Sequence, residues 1–345
     1  MHSFATPISV EWKSPEAMPV SVARPFAGFL PDGRFLVAGG TDFIAAEDGS
    51  LVKTCFDAVS IRSADGTWAT ADTLPHVVGE GVSCETPRGI FCAGGYDGVQ
   101  VFSDAYILTG DAMERLPDLP RQVMMGAAAC DGDNVYVVAG REIYSLSLKG
   151  GDKWNLIAEL PGPNRSQMVA AIQNGDQKEK RLIIYGGYSL EDKMPLRDGY
   201  AYVLSDGRIV KLSDLPENTT AIGAAFLPSG HQHILMFGGF GEKGWIARAI
   251  NGSTETDPVA LGWQRKILAY NAVTDAWCEY GELAEGDVPR CGAAAGLRPG
   301  KTPESYTLVI AGGEKAPALR TNAVTVASFR KMGKFGATAW AVVGV

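Results

Sequence analysis

The sequence lacks the features that mark several common classes of protein. It has four histidines and no Cys-x-x-Cys pair, so a copper or zinc site of the usual ligand spacing is not predicted. Its formal net charge is -8 and no cluster of Lys and Arg stands against that excess, which disfavours nucleic acid as a partner. No long segment shows the apolar period of an amphipathic helix. The chain has 345 residues, of which 42 are glycine and 19 are proline, and this abundance of turn residues favours a large all-β domain.

Two further features bear on the cellular compartment. The N-terminus, residues 1–8, has neither the basic flank nor the apolar stretch of a secretion signal. Most of the six cysteines lie in apolar, strand-like segments, where buried and reduced thiols are expected; they are Cys55, Cys84, Cys92, Cys130, Cys278 and Cys291. Both features predict a cytoplasmic protein. A periplasmic or membrane-tethered location is the alternative if the sequence is a piece of a longer polypeptide.

The C-terminal residues differ from the rest of the chain. A basic segment at residues 330–334 is followed by an apolar run at residues 335–345, which is too short to span a bilayer. Two interpretations are open: a tail that packs on the domain, or the start of a membrane helix, which would fuse the protein to a membrane transporter or associate it with one. The sequence therefore predicts a domain of residues 1–330 and a separate tail of residues 331–345.

An internal repeat organises the domain. Six apolar runs each end in a pair of small residues: Gly39-Gly40, Gly94-Gly95, Ala139-Gly140, Gly186-Gly187, Gly238-Gly239 and Gly312-Gly313. A strand of small residues precedes each pair, and a third strand with an aromatic or apolar anchor follows most of them. In several units a tryptophan marks a fourth strand, namely Trp68, Trp154 and Trp277. This pattern resembles the kelch repeat over nearly the whole chain.

The repeat predicts an all-β fold, a six-bladed kelch β-propeller. Four short antiparallel strands cannot bury both of their faces alone, so such units stack radially. The sixth unit ends before its outer strand, and residues 8–13, which include Trp12, match the missing piece. We therefore expect the N-terminal strand to close the last blade, to bury Trp12 and to remove an open sheet edge. Residues 240–267 form a long insertion in blade five, which either places Trp245 or Trp263 at the mouth of the channel or packs on the surface of the blade.

The turns that lead into the innermost strands should surround one mouth of the central channel. In an antiparallel blade, the start of strand one, the end of strand two and the start of strand three share one rim. Candidate ligand-binding residues on these turns are Arg24, His76, Arg121, Arg165, Asn218 and Arg290. Four arginines around one mouth would attract an anionic ligand to an acidic protein. Each of them could instead be solvated or could pair with an acid on a neighbouring loop.

One loop distinguishes the last unit from the others. Residues 313–321 read Gly-Glu-Lys-Ala-Pro-Ala-Leu-Arg-Thr and follow the sixth small pair. The loop resembles that of the N-acetylneuraminate epimerase (sialic acid mutarotase) family, which carries Gly-Glu-x-x-Pro-x-Leu-Arg-Thr at the end of a kelch blade's second strand. The resemblance implies that Glu314 and Arg320 are the catalytic residues, Glu314 as the acid–base group and Arg320 as the clamp on the sugar carboxylate. Usual members of the family place this blade mid-chain, so the chain resembles a cyclic permutant.

The resemblance implies an isomerase that interconverts the α and β anomers of N-acetylneuraminate or a related 2-keto sugar acid. Opening and reclosing a hemiketal ring needs positioned proton carriers and requires neither a metal nor a redox cofactor. A guanidinium fork suits the carboxylate of such a sugar. The alternative is a kelch propeller that binds a protein or an acidic peptide through its arginine-rimmed mouth, because fold alone does not fix function. The second proton carrier and the oligomeric state are not fixed by the sequence.

Overall fold

A computed structural model describes residues 9–176, 179–247, 251–258, 260–283, 287, 289–300 and 305–330, with side chains described from Glu16 to Ser328. Within these residues, antiparallel strands form six sheets around a central axis, and the predicted six-bladed propeller is confirmed. All six cysteine thiols are free. No helix in the described part of the chain is long and apolar enough to cross a membrane.

The strands are numbered in chain order, and β1 (Ser9–Ala17) belongs to the last blade. Blade 1 contains β2 (Phe26–Phe29), β3 (Phe35–Ala38), β6 (Val59–Arg62) and β7 (Trp68–Thr70). A separate hairpin of β4 (Thr41–Ala45) and β5 (Leu51–Cys55) extends between its second and third strands. Blade 2 contains β8 (Val82–Thr86), β9 (Gly89–Ala93), β10 (Ala105–Leu108) and β11 (Met113–Leu116). Blade 3 contains β12 (Ala127–Cys130), β13 (Asn134–Ala139), β14 (Glu142–Ser147) and β15 (Asn155–Glu159).

The remaining blades have the same order. Blade 4 contains β16 (Arg165–Ser166), β17 (Val169–Asn174), β18 (Lys180–Ser189), β19 (Met194–Val203) and β20 (Ile209–Leu212). Blade 5 contains β21 (Ala224–Ser229), β22 (His233–Gly238), β23 (Lys266–Asn271) and β24 (Ala276–Glu282), and its insertion includes the short helix α1 (Glu242–Trp245). Blade 6 contains β25 (Ala294–Pro299), β26 (Ser305–Ala311), β29 (Ala323–Arg330) and β1, with a second hairpin formed by β27 (Glu314–Ala316) and β28 (Leu319–Arg320).

The N-terminal strand closes the ring, as predicted. β1 pairs antiparallel with β29, with Ser9 opposite Arg330 and Ala17 opposite Ala323. The strand continues four residues beyond the predicted end at Lys13 and contains a register shift between Lys13 and Glu16. The burial of Trp12 was predicted for a side chain that lies outside the described part of the chain. The predicted tail of residues 331–345 also lies outside it.

The core lies between the blades, and a narrow channel runs along the axis. The innermost strands β2, β8, β12, β17, β21 and β25 contact one another in a closed ring. They line a cavity of about 430 Å³, whose wall is mainly small residues such as Ala127, Ala171 and Ala294. A Leu-Pro dipeptide follows the outer strand of each of blades 1–4, and its leucine is buried in a core cluster; the four leucines are Leu74, Leu119, Leu160 and Leu215. Small residues on the inner strands and buried apolar residues on the second and third strands of each blade therefore suit a closed ring of blades.

Candidate active site

The mouth of the channel is built on one backbone position that recurs in every blade. In each blade, the residue just before the small pair is paired with a residue on the innermost strand. The recurring position lies two residues before that inner-strand residue in the chain. Its occupants all have φ between 53° and 68°; they are Arg24, Glu80, Met125, Gln167, Gly223 and Gly292. Backbone N–H groups link these positions around the axis, for example from Glu80 to the carbonyl of Arg24 at 3.0 Å and from Met125 to that of Glu80 at 2.7 Å. We call these six residues the mouth ring; their backbone fixes the points from which the side chains of the mouth extend.

Arg24 spans the mouth. Its Nη2 donates a 2.5 Å hydrogen bond to Oε1 of Gln167, although Arg24 belongs to blade 1 and Gln167 to blade 4 on the opposite side of the ring. Both residues line a cavity of about 150 Å³ at the top of the channel. In the described part of the chain no carboxylate lies within ion-pair distance of Arg24, whose partner Gln167 is neutral. The mouth therefore contains a half-buried cation whose charge is not neutralised by a neighbouring acid.

Glu314 and Arg320 lie at the rim of the same mouth. They face each other across the β27–β28 hairpin and form an ion pair through Oε2 of Glu314 and Nη1 of Arg320. The backbone N–H and carbonyl of Glu314 bond to Cys291 at 2.8 and 2.9 Å, and Cys291 precedes Gly292 of the mouth ring. Oε1 of Glu314 also accepts a 3.2 Å hydrogen bond from the N–H of Ala318. The loop thus places its acid and its arginine together, and their roles toward a ligand stay predictions.

The Arg320 guanidinium is held in an unusual environment. Only 5% of the side chain is exposed, and its Cζ lies 4.9 Å from the centre of the Phe43 ring. Burial lowers the pKa of Arg320, and the nearby charge of Arg24 lowers it further, while Asp42 and Glu80 oppose the shift. Its Nε is buried and has no hydrogen-bond partner within the described residues. The guanidinium therefore holds a cationic charge beside Glu314 and keeps a donor that the protein does not satisfy.

A second hairpin completes the site, and sequence reasoning missed it. The β4–β5 hairpin lies beside β28 and supplies Phe43 to the Arg320 stack. Its Lys53 forms an ion pair with Glu80, whose side chain is only 3% exposed. The sequence contained a signal for it, because Asp48-Gly49 is a turn dipeptide between two runs rich in apolar and β-branched residues. The number of residues between successive small pairs does not by itself reveal a hairpin inserted into a blade.

Comparison with known proteins identifies the family. The model of the N-acetylneuraminate epimerase family matches residues 116–343, which is more than half of the chain. The chain belongs to the N-acetylneuraminate epimerase family. The Gly313–Thr321 loop and its Glu314–Arg320 pair lie inside the matched region.

Individual members of the family align with a large part of the chain. An N-acetylneuraminate epimerase of Pasteurella multocida is 30% identical over 251 residues, which cover 66% of this chain and 61% of that protein. One from Haemophilus influenzae is 30% identical over 226 residues, covering 59% of this chain and 57% of that protein. One from Vibrio vulnificus is 25% identical over 245 residues, covering 63% and 60%. The chain spans about 60% of the length of the curated relatives it matches.

Two of the candidate arginines in this family member are buried and engaged by the protein. Arg165 forms a two-pronged ion pair with Asp198 at 2.8 and 2.9 Å, and its side chain is 0% exposed. Arg290 donates to the carbonyl of Ala323 at 2.7 Å and to the hydroxyl of Thr325, and burial lowers its pKa. Both residues hold neighbouring strands together. Breaking either would leave a buried charge without a partner.

The other three candidates on these turns also have partners within the protein. Arg121 is exposed and pairs with Glu142 at 2.6 Å. His76 bonds to Asp104 at 2.7 Å, and its ring stacks on a phenylalanine with 3.9 Å between centroids. The carbonyl of Asn218 accepts hydrogen bonds from the insertion, including one of 3.1 Å from Gln264. Three of the four arginines thus pair with an acid, which is the alternative that the sequence left open, and Arg24 has no carboxylate partner in the described part of the chain. Contact of the six candidate residues with a ligand stays a prediction.

The insertion of blade five lies beside the mouth. Its Phe240, Trp245 and Trp263 form one apolar cluster with Ile222 and Cys291, the residues that precede Gly223 and Gly292 of the ring. Trp263 is 4% exposed, and its ring centre lies 4.9 Å from that of Phe240, so it packs inside this cluster. The insertion therefore buttresses the mouth between blades 5 and 6. Contact of either tryptophan with a ligand stays a prediction.

Proposed function

We propose that the protein interconverts the α and β anomers of N-acetylneuraminate or a closely related 2-keto sugar acid. The observation that carries the proposal is the Glu314–Arg320 pair, which lies at the mouth of the channel on the loop that resembles the family's motif. The names of the matched relatives support the same substrate. A cytoplasmic location and association with a membrane transporter stay predictions.

Glu314 is suited to carry the proton in this reaction. Its carboxylate takes the proton of the anomeric hydroxyl, an acid gives a proton to the ring oxygen as the bond between that oxygen and the anomeric carbon breaks, and an open hydroxy-ketone forms. The ketone turns, the hydroxyl attacks its other face and gives its proton back to that acid, and Glu314 returns its proton to the new anomeric oxygen. A positioned general base of this kind contributes roughly 10²–10⁴ in rate. Arg320 holds the Glu314 carboxylate in place, and the guanidinium fork is the group suited to the carboxylate of the sugar.

The charge balance of the mouth favours an anionic ligand. Glu314 is neutralised by Arg320 and Glu80 by Lys53, whereas the partner of Arg24 is a neutral amide. Arg24 therefore lies beside a cavity of about 150 Å³ with a neutral partner, and Asp42 is a further acid near Arg320. A single carboxylate would pair with Arg24 through a charge-assisted hydrogen bond, which is among the stronger interactions that a protein offers to a small ligand. This observation makes Arg24 a second candidate for holding the sugar carboxylate.

The alternative, a module that binds a protein or an acidic peptide, has weaker support. That interpretation depended on several free arginines around the mouth. Arg165 and Arg290 are buried, and Arg121 is already paired with Glu142. What is left is one cation above a narrow cavity, which suits a small molecule better than an extended peptide.

Proton NMR of freshly dissolved N-acetylneuraminate tests the proposal, because the two anomers give separate signals and the spontaneous exchange rate serves as the blank. The intact protein is expected to accelerate the exchange. Glu314→Gln should lower the acceleration by roughly 10²–10⁴, because the amide cannot accept the proton, while binding of the sugar largely survives. Glu47→Gln, on the exposed tip of the β4–β5 hairpin, is the matched control. A wild-type protein that leaves the spontaneous rate unchanged would contradict the proposal.

A further inference from the structure

Ring opening of a hemiketal needs a proton at the ring oxygen as well as a base at the anomeric hydroxyl, and Glu314 can serve one of these atoms at a time. The described ionisable groups around Glu314 and Arg320 are few. Arginine does not release its proton, which excludes Arg24 and Arg320. The Cys291 thiol is buried, and burial raises its pKa. Asp42 also acts on Arg320, but it neighbours Phe43 and so lies on the hairpin face opposite to Lys53. The Glu80 carboxylate is 3% exposed and is engaged by Lys53, whose own side chain is 31% exposed.

The position of Lys53 brings it to the same ligand as Glu314. Lys53 lies directly opposite Phe43 in the β4–β5 hairpin, so the two side chains share one face of it. Phe43 lies beneath the Arg320 guanidinium, at 4.9 Å from its ring centre. On the other side, Glu80 lines the mouth cavity and its N–H donates to the carbonyl of Arg24. Lys53 is therefore connected to the Glu314–Arg320 pair through Phe43 and to the mouth cavity through Glu80.

Glu80 is fixed more firmly than an ordinary surface acid. It has φ of 61°, which is costly for a residue with a side chain, and its backbone is tied to the neighbouring blades by the hydrogen-bonded mouth ring. Because the buried Glu80 carboxylate is attached to a rigid backbone, its ion pair restricts the position of the Lys53 ammonium. Strained residues of this kind are found where a side chain must be held in a particular place.

We propose that Lys53 is the second proton carrier of the mutarotase site and that Glu80 is its positioning residue. The proposal rests on the proposed function. While Glu314 takes the proton of the anomeric hydroxyl, the ammonium of Lys53 gives a proton to the ring oxygen, and the electron pair of the breaking bond stays on that oxygen. On reclosure the amine of Lys53 takes back the proton of the attacking hydroxyl, and Glu314 returns its proton to the new anomeric oxygen. Each residue ends in the protonation state in which it began.

Two substitutions at Lys53 test the assignment against an electrostatic role. Lys53→Arg keeps the charge and the ion pair with Glu80 but cannot give up a proton. Lys53→Met removes the charge, the ion pair and the proton. Both variants are expected to lose about 10²-fold or more of the acceleration, with sugar binding by Lys53→Arg within about tenfold of wild type. Lys149→Met is the control, because Lys149 also pairs with an acid, Asp133 at 2.9 Å, but is 72% exposed on the outside of blade 3.

The outcomes separate this inference from the function on which it rests. If wild type accelerates exchange and Glu314→Gln does not, but Lys53→Arg is fully active, the function stands and Lys53 is not the proton carrier. If wild type itself is inactive, the function fails first.

Glu80→Gln tests the positioning role with a readout that mere structural damage would not move. The kcat of Glu80→Gln should fall more than its KM rises, and Glu80→Asp, which keeps a carboxylate, should recover part of the lost kcat. A folded Glu80→Gln variant with the wild-type kcat would overturn the role of Glu80. Thermal melting confirms that each variant is folded.

Discussion

Blades 1–4 and blades 5–6 have different types of residue at their positions in the mouth ring. The first four carry Arg24, Glu80, Met125 and Gln167 in the left-handed conformation, which costs a residue with a side chain about 1–2 kcal/mol, whereas the last two carry glycine. A Cβ on Gly223 would lie 2.0 Å from Sγ of Cys291. A Cβ on Gly292 would lie 2.7 Å from Cγ of Arg24, so glycine stands where the next residues of the ring leave no room for a side chain. In blades 1–4, which we call the open side, three of the four strained residues have side chains that form the polar wall of the mouth.

The largest expected effect comes from placing a side chain on the crowded side. Gly223→Ala adds left-handed strain of about 1–2 kcal/mol and an overpacking cost of about 1–3 kcal/mol, so the free energy of unfolding should fall by roughly 2–5 kcal/mol. Gly252→Ala is a close control, because Gly252 has the same φ of 68° and nothing within 4 Å of an added Cβ. Urea unfolding of both variants measures the difference. Equal losses would mean that backbone strain alone, and not crowding by Cys291, keeps glycine at this position.

The repeated architecture could be predicted from the sequence because it depends on local patterns. Small pairs such as Gly39-Gly40 and buried leucines such as Leu160 recur at similar intervals, so each blade repeats the same information. The closing strand followed from a missing outer strand at one end and a spare one at the other. The Glu314–Arg320 pair was also predictable, since both residues lie on one short loop whose ends are fixed by neighbouring strands.

The partners of the rim arginines could not be predicted in the same way. Arg165 meets Asp198, and Arg290 meets Ala323 and Thr325, each more than thirty residues further along the chain. Such pairings depend on which side chains meet across a sheet, and the repeat leaves those positions variable. The mouth ring was hidden for another reason: left-handed φ is recognisable from glycine, but Arg24 and its counterparts in blades 2–4 carry side chains that ordinarily avoid it.

A smaller effect is expected from removing the uncompensated charge. Arg24→Met should barely alter stability, because Met125 occupies the equivalent position in blade 3 at nearly the same φ, 54° against 53°. Affinity for N-acetylneuraminate should fall about ten- to a hundred-fold, since a charge-assisted hydrogen bond contributes about 1.5–3 kcal/mol. Calorimetry with the sugar acid and with its neutral methyl ester measures the change. Wild type should prefer the acid, and the variant should lose that preference; an unchanged preference would leave the carboxylate to Arg320.

The smallest effect is expected at Met125, which among the six residues of the mouth ring is the one with an apolar side chain. Met125→Gly relieves the left-handed strain but gives the unfolded chain more freedom, worth about 0.4–1 kcal/mol, and removes a half-buried side chain from the mouth. These contributions oppose one another, so the free energy of unfolding should change by less than about 1 kcal/mol, and anomer exchange should be unaffected. Chemical denaturation and the NMR exchange assay measure the two quantities. A loss above about 2 kcal/mol would show that the side chain in blade 3 supports the ring itself. In that case strain on the open side would serve the fold as well as the ligand, and the contrast with the glycines of blades 5 and 6 would be one of packing alone.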